Sequence, residues 1–157
     1  MSSISIEEIA DLFANNLSKV LRTMAGFEVS SIQCGQQGMP EIEPSIMGAM
    51  ILHGQKDAMI SLAMEDNTAY MLIAYMTGIL PEDLEEQDLY DGVGELVNIM
   101  TGEVKARLAN TPYQFRLTSP FALGGDNLKV VFKKNLQGAC RFLTAGELEI
   151  IFRISYI

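Results

Sequence analysis

Asp91-Gly92-Val93-Gly94-Glu95-Leu96-Val97-Asn98-Ile99-Met100-Thr101-Gly102 separates into two faces when wound as a helix at about 100° per residue. Leu89, Val93, Leu96, Val97, Met100 and Val104 form an apolar stripe. Asp91, Glu95, Asn98 and Gly102 fall almost in line on the opposite side. A carboxylate and a carboxamide three residues apart project from neighbouring turns and can reach one target together. A solvated polar face is the simpler reading of such a stripe. The glycines weigh against it, because Gly92, Gly94 and Gly102 each cost roughly 1 kcal/mol relative to alanine inside a helix. Close approach of a partner or of another backbone is the usual demand that favours them.

Outward from this helix, the chain reads as alternating helical and extended segments. Ser5-Ile6-Glu7-Glu8 has capping-box spacing, and Ile6, Ile9, Leu12, Phe13, Leu17, Val20, Leu21 and Met24 follow with helical periodicity up to Gly26. Phe27 to Cys34 alternates partially, as a strand does, and Gly35 to Pro44 reads as a loop. Ile46 to His53 and Ala58 to Met64 predict a hairpin around Gly54-Gln55-Lys56-Asp57. A helix from the Glu65-Asp66-Asn67-Thr68 cap to Met76 ends at Gly78. The acidic run Glu82, Asp83, Glu85, Glu86 and Asp88 suits the start of the opening helix, which extends to about Asn110 before Thr111-Pro112. Beyond it, Tyr113 to Thr118, Leu128 to Lys133, Ala139 to Thr144 and Leu148 to Ile157 are strand-like, with an interruption at Ser119-Pro120 and a turn at Gly124 to Asn127.

The sum is an α+β fold, with long helices packed on a largely antiparallel sheet in a single domain over residues 1–157. The order of elements hints at two related halves without any repeated sequence.

Composition narrows the function. With 48% hydrophobic and 20% charged residues the chain reads as globular, and no apolar run spans a membrane. A net charge of −9 argues against nucleic acid and against an anionic membrane surface, and is compatible with a basic protein partner. The N-terminus has no secretory pattern, so a cytoplasmic location is expected. Cys34 and Cys140 lack CxxC spacing and are expected to be reduced and buried in strands.

Chemistry is scarce elsewhere. His53 is the only histidine and has no cluster of ligands near it in sequence, so no metal site is expected. No phosphate-binding loop and no nucleophile elbow occurs. The ten methionines fit core filling better than a Met-rich peptide groove. Glu95 and Asn98 remain. Asn98 has no useful pKa, yet its amide can orient a water molecule, and Glu95 can bond to a Lys or Arg across an interface. Such a pair needs the other half of its chemistry from the substrate.

Glu95-x-x-Asn98, set within Asp91-x-x-x-Glu95-x-x-Asn98-x-x-x-Gly102, resembles the signature of the CheC/CheX/FliY phosphatases of bacterial chemotaxis. Arg22-Thr23-Met24-Ala25-Gly26, the hairpin-to-helix segment up to Met76-Thr77-Gly78, and Ser119-Pro120 match the CheX-like members as well. The resemblance implies dephosphorylation of a CheY-type response regulator, whose aspartyl phosphate and own Mg²⁺ supply much of the catalytic site, so that no cofactor resides in this chain. Asn98 would align the attacking water, and Glu95 would pair with the regulator's active-site lysine. Asp91, Gly94 and Gly102 would line the docking face. A non-catalytic receiver-binding module of the same fold is the alternative. The resemblance also implies a homodimer, for which Leu148 to Ile157 is either a contact or an internal strand. CheC-like members carry a second ExxN on the first helix; here Asn15-Asn16-Leu17-Ser18 has no Glu at that spacing, which implies one active surface per chain.

Overall fold

Ser5 starts the first helix as its spacing predicts: the Glu8 amide donates to Ser5 Oγ at 3.1 Å and the Ser5 amide donates to Glu8 Oε2 at 2.7 Å. A computed structural model describes residues 3–35, 42–130 and 136–157. Helix α1 spans Ile6–Ala25 and closes on Gly26, whose φ of 74° is the left-handed conformation that glycine adopts without strain. Strand β1 (Ser31–Cys34) leads, across residues outside the described set, to the hairpin of β2 (Ile46–Gly54) and β3 (Ala58–Met64). Helix α2 (Asp66–Thr77) follows, then a single 3-10 turn at Pro81–Asp83, and then α3 (Glu86–Arg107). Strands β4 (Phe115–Arg116), β5 (Phe121–Gly124), β6 (Gly138–Ala145) and β7 (Leu148–Tyr156) complete the chain.

The seven strands among the described residues join one antiparallel sheet ordered β1-β6-β7-β3-β2-β4, with β5 pairing β2 beside β4. Alternate residues of the central strands enter the main core. Met50, Leu52, Ile60, Leu62, Phe152 and Ile154 face the helices, where Phe13 of α1 stacks on Phe152 at 5.2 Å. The opposite face carries a smaller cluster of Met47, Ala63, Phe142 and Ile151, partly covered by Ile42, Leu128 and Val130.

One ionic contact reaches into the helix–sheet layer. The Arg141 side chain of β6 is 3% exposed and donates to Asp11 Oδ1 at 2.9 Å and Glu7 Oε2 at 2.6 Å, both on α1. Burial works against the charged guanidinium, but these bonds outweigh it and its pKa is raised. With two further bonds to the carbonyls of Glu7 and Cys140, Arg141 clamps α1 to β6.

Several boundaries differ from the sequence reading. The expected strand from Phe27 begins only at Ser31, because Phe27 turns away to pack edge-on against Tyr75 of α2 at 5.0 Å. Tyr113 to Thr118 contributes only the two residues of β4. Phe121–Gly124 is a paired strand, so Gly124 ends a strand and does not open the turn expected at Gly124 to Asn127. Leu128 to Val130 are not in a strand, and the rest of that expected segment lies outside the described residues. Leu148–Tyr156 is an internal strand with both edges engaged, by β3 and by β6, so its edge is closed to a second chain. The cysteines do lie in strands, but Cys34 is exposed on the outer strand β1, contrary to the expected burial. Cys34 pairs opposite Arg141, so it and Cys140 project from opposite faces of the sheet, and both thiols are free.

Candidate active site on the third helix

The outer face of α3 begins where its acidic first turn is capped, with the Glu85 amide donating to Asp88 Oδ2 at 2.9 Å. Behind it, Leu89, Val93, Leu96, Val97, Met100 and Val104 are all buried, as the stripe predicts. On the front, Asp91, Glu95 and Gly102 are exposed and Asn98 is half-buried. Asp91 accepts from Gln87 Nε2 at 2.8 Å, one turn earlier. No side-chain hydrogen bond or ion pair among the described residues engages Glu95 or Asn98; the nearby bonds on α3 belong to Gln87, Tyr90 and Thr101. Their polar atoms are therefore available to something outside the chain.

The three glycines of the opening stretch have different surroundings. A Cβ on Gly92 would lie 2.6 Å from Ile73 Cδ1, so α2 packs into the notch this glycine leaves. Gly94 is buried and so is not exposed on the docking face where it was expected, and a Cβ there would meet Pro120 at an ordinary 3.8 Å. This brings the segment between β4 and β5 alongside the turn of α3 that leads to Asn98. A Cβ on Gly102 would have nothing within 4 Å. Internal packing thus accounts for Gly92 alone.

Two positions that the sequence reading did not assign to the site hold α3 in place. Gly48 of β2 lies beneath the helix, and a Cβ there would fall 2.7 Å from Val93 Cγ1 and 3.0 Å from the Val93 carbonyl oxygen. A glycine within an apolar strand signals such an approach, and Gly48 was legible in that sense. Asn16 of α1, 7% exposed, donates from Nδ2 to the Met100 carbonyl. A polar residue at one position of an otherwise apolar helix face carries no comparable signal.

No group of three His, Cys, Asp or Glu among the described residues could hold a metal ion. His53 is exposed at the end of β2, with Nδ1 2.8 Å from Asp57 Oδ1. It borders a shallow cleft of about 320 Å³ with Gln114, Phe115 and Arg116, away from Glu95 and Asn98. No helix among the described residues is long and apolar enough to cross a membrane. What α3 offers is a ledge with two exposed carboxylates, Asp91 and Glu95, and one carboxamide, Asn98. Such a ledge can orient a group and bind a cation.

The fold has known counterparts. The chain is similar to a CheC-like superfamily protein from Shewanella sp. PV-4, at 23% identity and a TM-score of 0.80, covering 98% of this chain and 99% of that one. It is similar to the chemotaxis protein CheX from Vibrio vulnificus at 22% identity and a TM-score of 0.80, covering 99% of this chain and 100% of the other. A third counterpart is found in the CheX-CheY-BeF3-Mg²⁺ complex from Borrelia burgdorferi, at 22% identity and a TM-score of 0.73, covering 94% and 97% of the two chains. A search of curated protein sequences returned no significant match. The family described as chemotaxis phosphatase CheX matches residues 46–144, which include both hairpin strands, the whole of α3 and most of β6. The chain belongs to the CheX family of chemotaxis phosphatases.

Proposed function

We propose that the protein removes phosphate from the aspartyl phosphate of a CheY-type response regulator. The observation that carries this reading is that Glu95 and Asn98 lie on the outer side of a pinned helix with no side-chain hydrogen bond or ion pair to any of the described residues. A family member from Borrelia burgdorferi crystallised with CheY, BeF3 and Mg²⁺ supports the choice of substrate. The receiver brings the phosphoryl group and its own Mg²⁺, which neutralises charge on the phosphoryl oxygens, so this chain needs no cofactor. Docking along Asp91, Glu95 and Gly102 lets the Glu95 carboxylate accept from the receiver's lysine ammonium, a charge-assisted bond that fixes register. Asn98 then reaches into the receiver's site and holds a water molecule in line with the phosphorus–oxygen bond to the aspartyl carboxylate. As the water oxygen bonds to phosphorus, that bond breaks, inorganic phosphate leaves and the carboxylate is regenerated. The contribution of Asn98 is orientation, which tolerates little displacement.

We infer further that a homodimer forms through the outer edge of β4 and β5, which no described strand pairs and where Leu117, Phe121 and Leu123 are 38%, 41% and 45% exposed. Sedimentation of wild type against Phe121→Glu tests this, and a wild-type monomer at tens of micromolar would refute it.

The decisive measurement is phosphate release from excess phospho-receiver at catalytic concentrations of the protein. Asn98→Ala is expected to abolish accelerated release while docking on the beryllofluoride-activated receiver is retained. Glu95→Ala is expected to weaken docking about tenfold or more, as loss of a charge-assisted contact does. Saturable binding by the wild-type protein without turnover would replace the phosphatase reading with that of a receiver-binding module.

A further inference from the structure

Asn98 can work only if the helix that carries it is held at a fixed height and rotation. Apolar contacts alone set those quantities loosely, because they are non-directional. The carbonyls on either side of Asn98 are bonded more tightly than the helix requires. Val97, one residue before it, accepts from the Thr101 hydroxyl at 2.6 Å as well as through the helical ladder. Met100, two residues after it, accepts from Asn16 Nδ2 of α1. Thr101 is 0% exposed and Asn16 is 7% exposed. Of these two bonds, that of Asn16 crosses between helices. One turn further along both helices, Lys19 Nζ lies 2.8 Å from Glu103 Oε1, but those side chains are 53% and 60% exposed, and a pair so wetted fixes little.

We propose that Asn16 is a positioning residue for Asn98. Its amide ties α1 to the turn of α3 that bears Asn98 and thereby sets the reach of the Asn98 side chain toward a docked receiver. This rests on the phosphatase reading. A leucine at position 16 would be close in size and would suit an apolar helix contact, so the directional bond is what an asparagine adds there. The bond engages a backbone carbonyl that faces the core side of α3, while Glu95 faces solvent. Its loss is therefore expected to disturb orientation in the reacting complex more than docking itself.

The test compares wild type, Asn16→Leu and Asn98→Ala in phosphate release from a phospho-receiver and in binding to the beryllofluoride-activated receiver, alongside thermal melting. Asn16→Leu is expected to melt cooperatively and to bind within about twofold of wild type, while kcat falls about tenfold or more, since small misplacement of an orienting group is costly. A kcat within twofold of wild type overturns the positioning role and leaves the phosphatase reading intact. So does a rise in Kd that matches the fall in kcat, because this is the mark of a merely structural residue. Wild type that fails to accelerate phosphate loss overturns the phosphatase reading and the proposal with it. Should Asn16→Leu lose its cooperative transition, Asn16→Ser, which keeps a donor but shortens its reach, is judged by the same split between kcat and Kd.

Discussion

At the scale of single residues, the glycines around α3 separate packing from docking. Gly48 has no room for a methyl group, since Val93 Cγ1 and the Val93 carbonyl oxygen would both lie at or within 3.0 Å of it. Gly48→Ala is expected to lower stability by about 1–3 kcal/mol, the usual penalty of overpacking, as read by denaturant unfolding. Gly102 is the opposite case, exposed and with open space around it. Gly102→Ala is expected to raise stability by up to about 1 kcal/mol through helix propensity, and to weaken docking on a receiver that approaches the backbone there. A variant that is more stable and docks unchanged would remove Gly102 from the docking face. The polar stripe itself was legible before any coordinates, because Asp91, Glu95 and Asn98 repeat at helical spacing opposite a buried stripe. The function of each glycine was not. Helical periodicity places a glycine on a face but does not reveal that Ile73 fills the notch at Gly92 or that Pro120 lies against Gly94.

At the scale of elements, local signals decided the helices and the first hairpin, and long-range pairing decided the rest. The caps at Ser5 and Gly26 and the turn between β2 and β3 follow from residues close in sequence. Asp57 closes that turn. The Gly54 amide donates to its Oδ1 at 3.1 Å, and His53 Nδ1 lies 2.8 Å from the same atom. The Gly54 bond, followed by the nearby histidine, holds the Asp57 carboxyl below its ordinary 3.8 despite the opposing effect of desolvation. A carboxyl with a depressed folded-state pKa contributes stability above its unfolded value and loses it as the pH falls through the folded one. Asp57→Asn is therefore expected to shrink the stability difference between neutral pH and acid, with the change developing as the pH falls through and below about 3.8, in thermal melts taken across that range. Strands β4 and β5 show where local reading stops. Phe115–Arg116 and Phe121–Gly124 lie on the same side of β2, separated by a gap that holds Pro120. Across the gap the Thr118 hydroxyl bonds to the Ile51 carbonyl at 2.6 Å. A proline has no amide to give the ladder, so it marks a break in any strand that contains it. The four residues after it are a strand only because β2 offers them an edge, from Ile46 to Ala49.

At the scale of the molecule, the sheet explains the echo between the two halves. Each half runs from a long helix to an outer strand and then to a hairpin: α1, β1 and β2–β3 in the first, and α3, β4 with β5, and β6–β7 in the second. The outer strands are exchanged. β1 pairs with β6 of the second hairpin and β5 pairs with β2 of the first, while β3 and β7 meet at the centre. The symmetry lies in pairing rather than in side chains, which is why the sequence gives only a faint trace of it. The two helices differ in what they present, since Glu95 is exposed and Asn98 half-buried on the outer side of α3, whereas Asn16 of α1 is turned inward as a donor to Met100. Exchange has an energetic consequence. A fragment covering residues 1–79 would carry β1 without β6, and one covering 80–157 would carry β5 without β2, so each would expose an unpaired hairpin edge and half of the shared core. The Arg141 clamp would be cut as well, leaving the guanidinium in one fragment and its two carboxylates in the other. Each fragment alone is expected to lack a cooperative thermal transition. An equimolar mixture is expected to regain strand and helix signal in circular dichroism, together with a single melt. A cooperative transition in either fragment by itself would mean that a half of the sheet is stable without its exchanged strand.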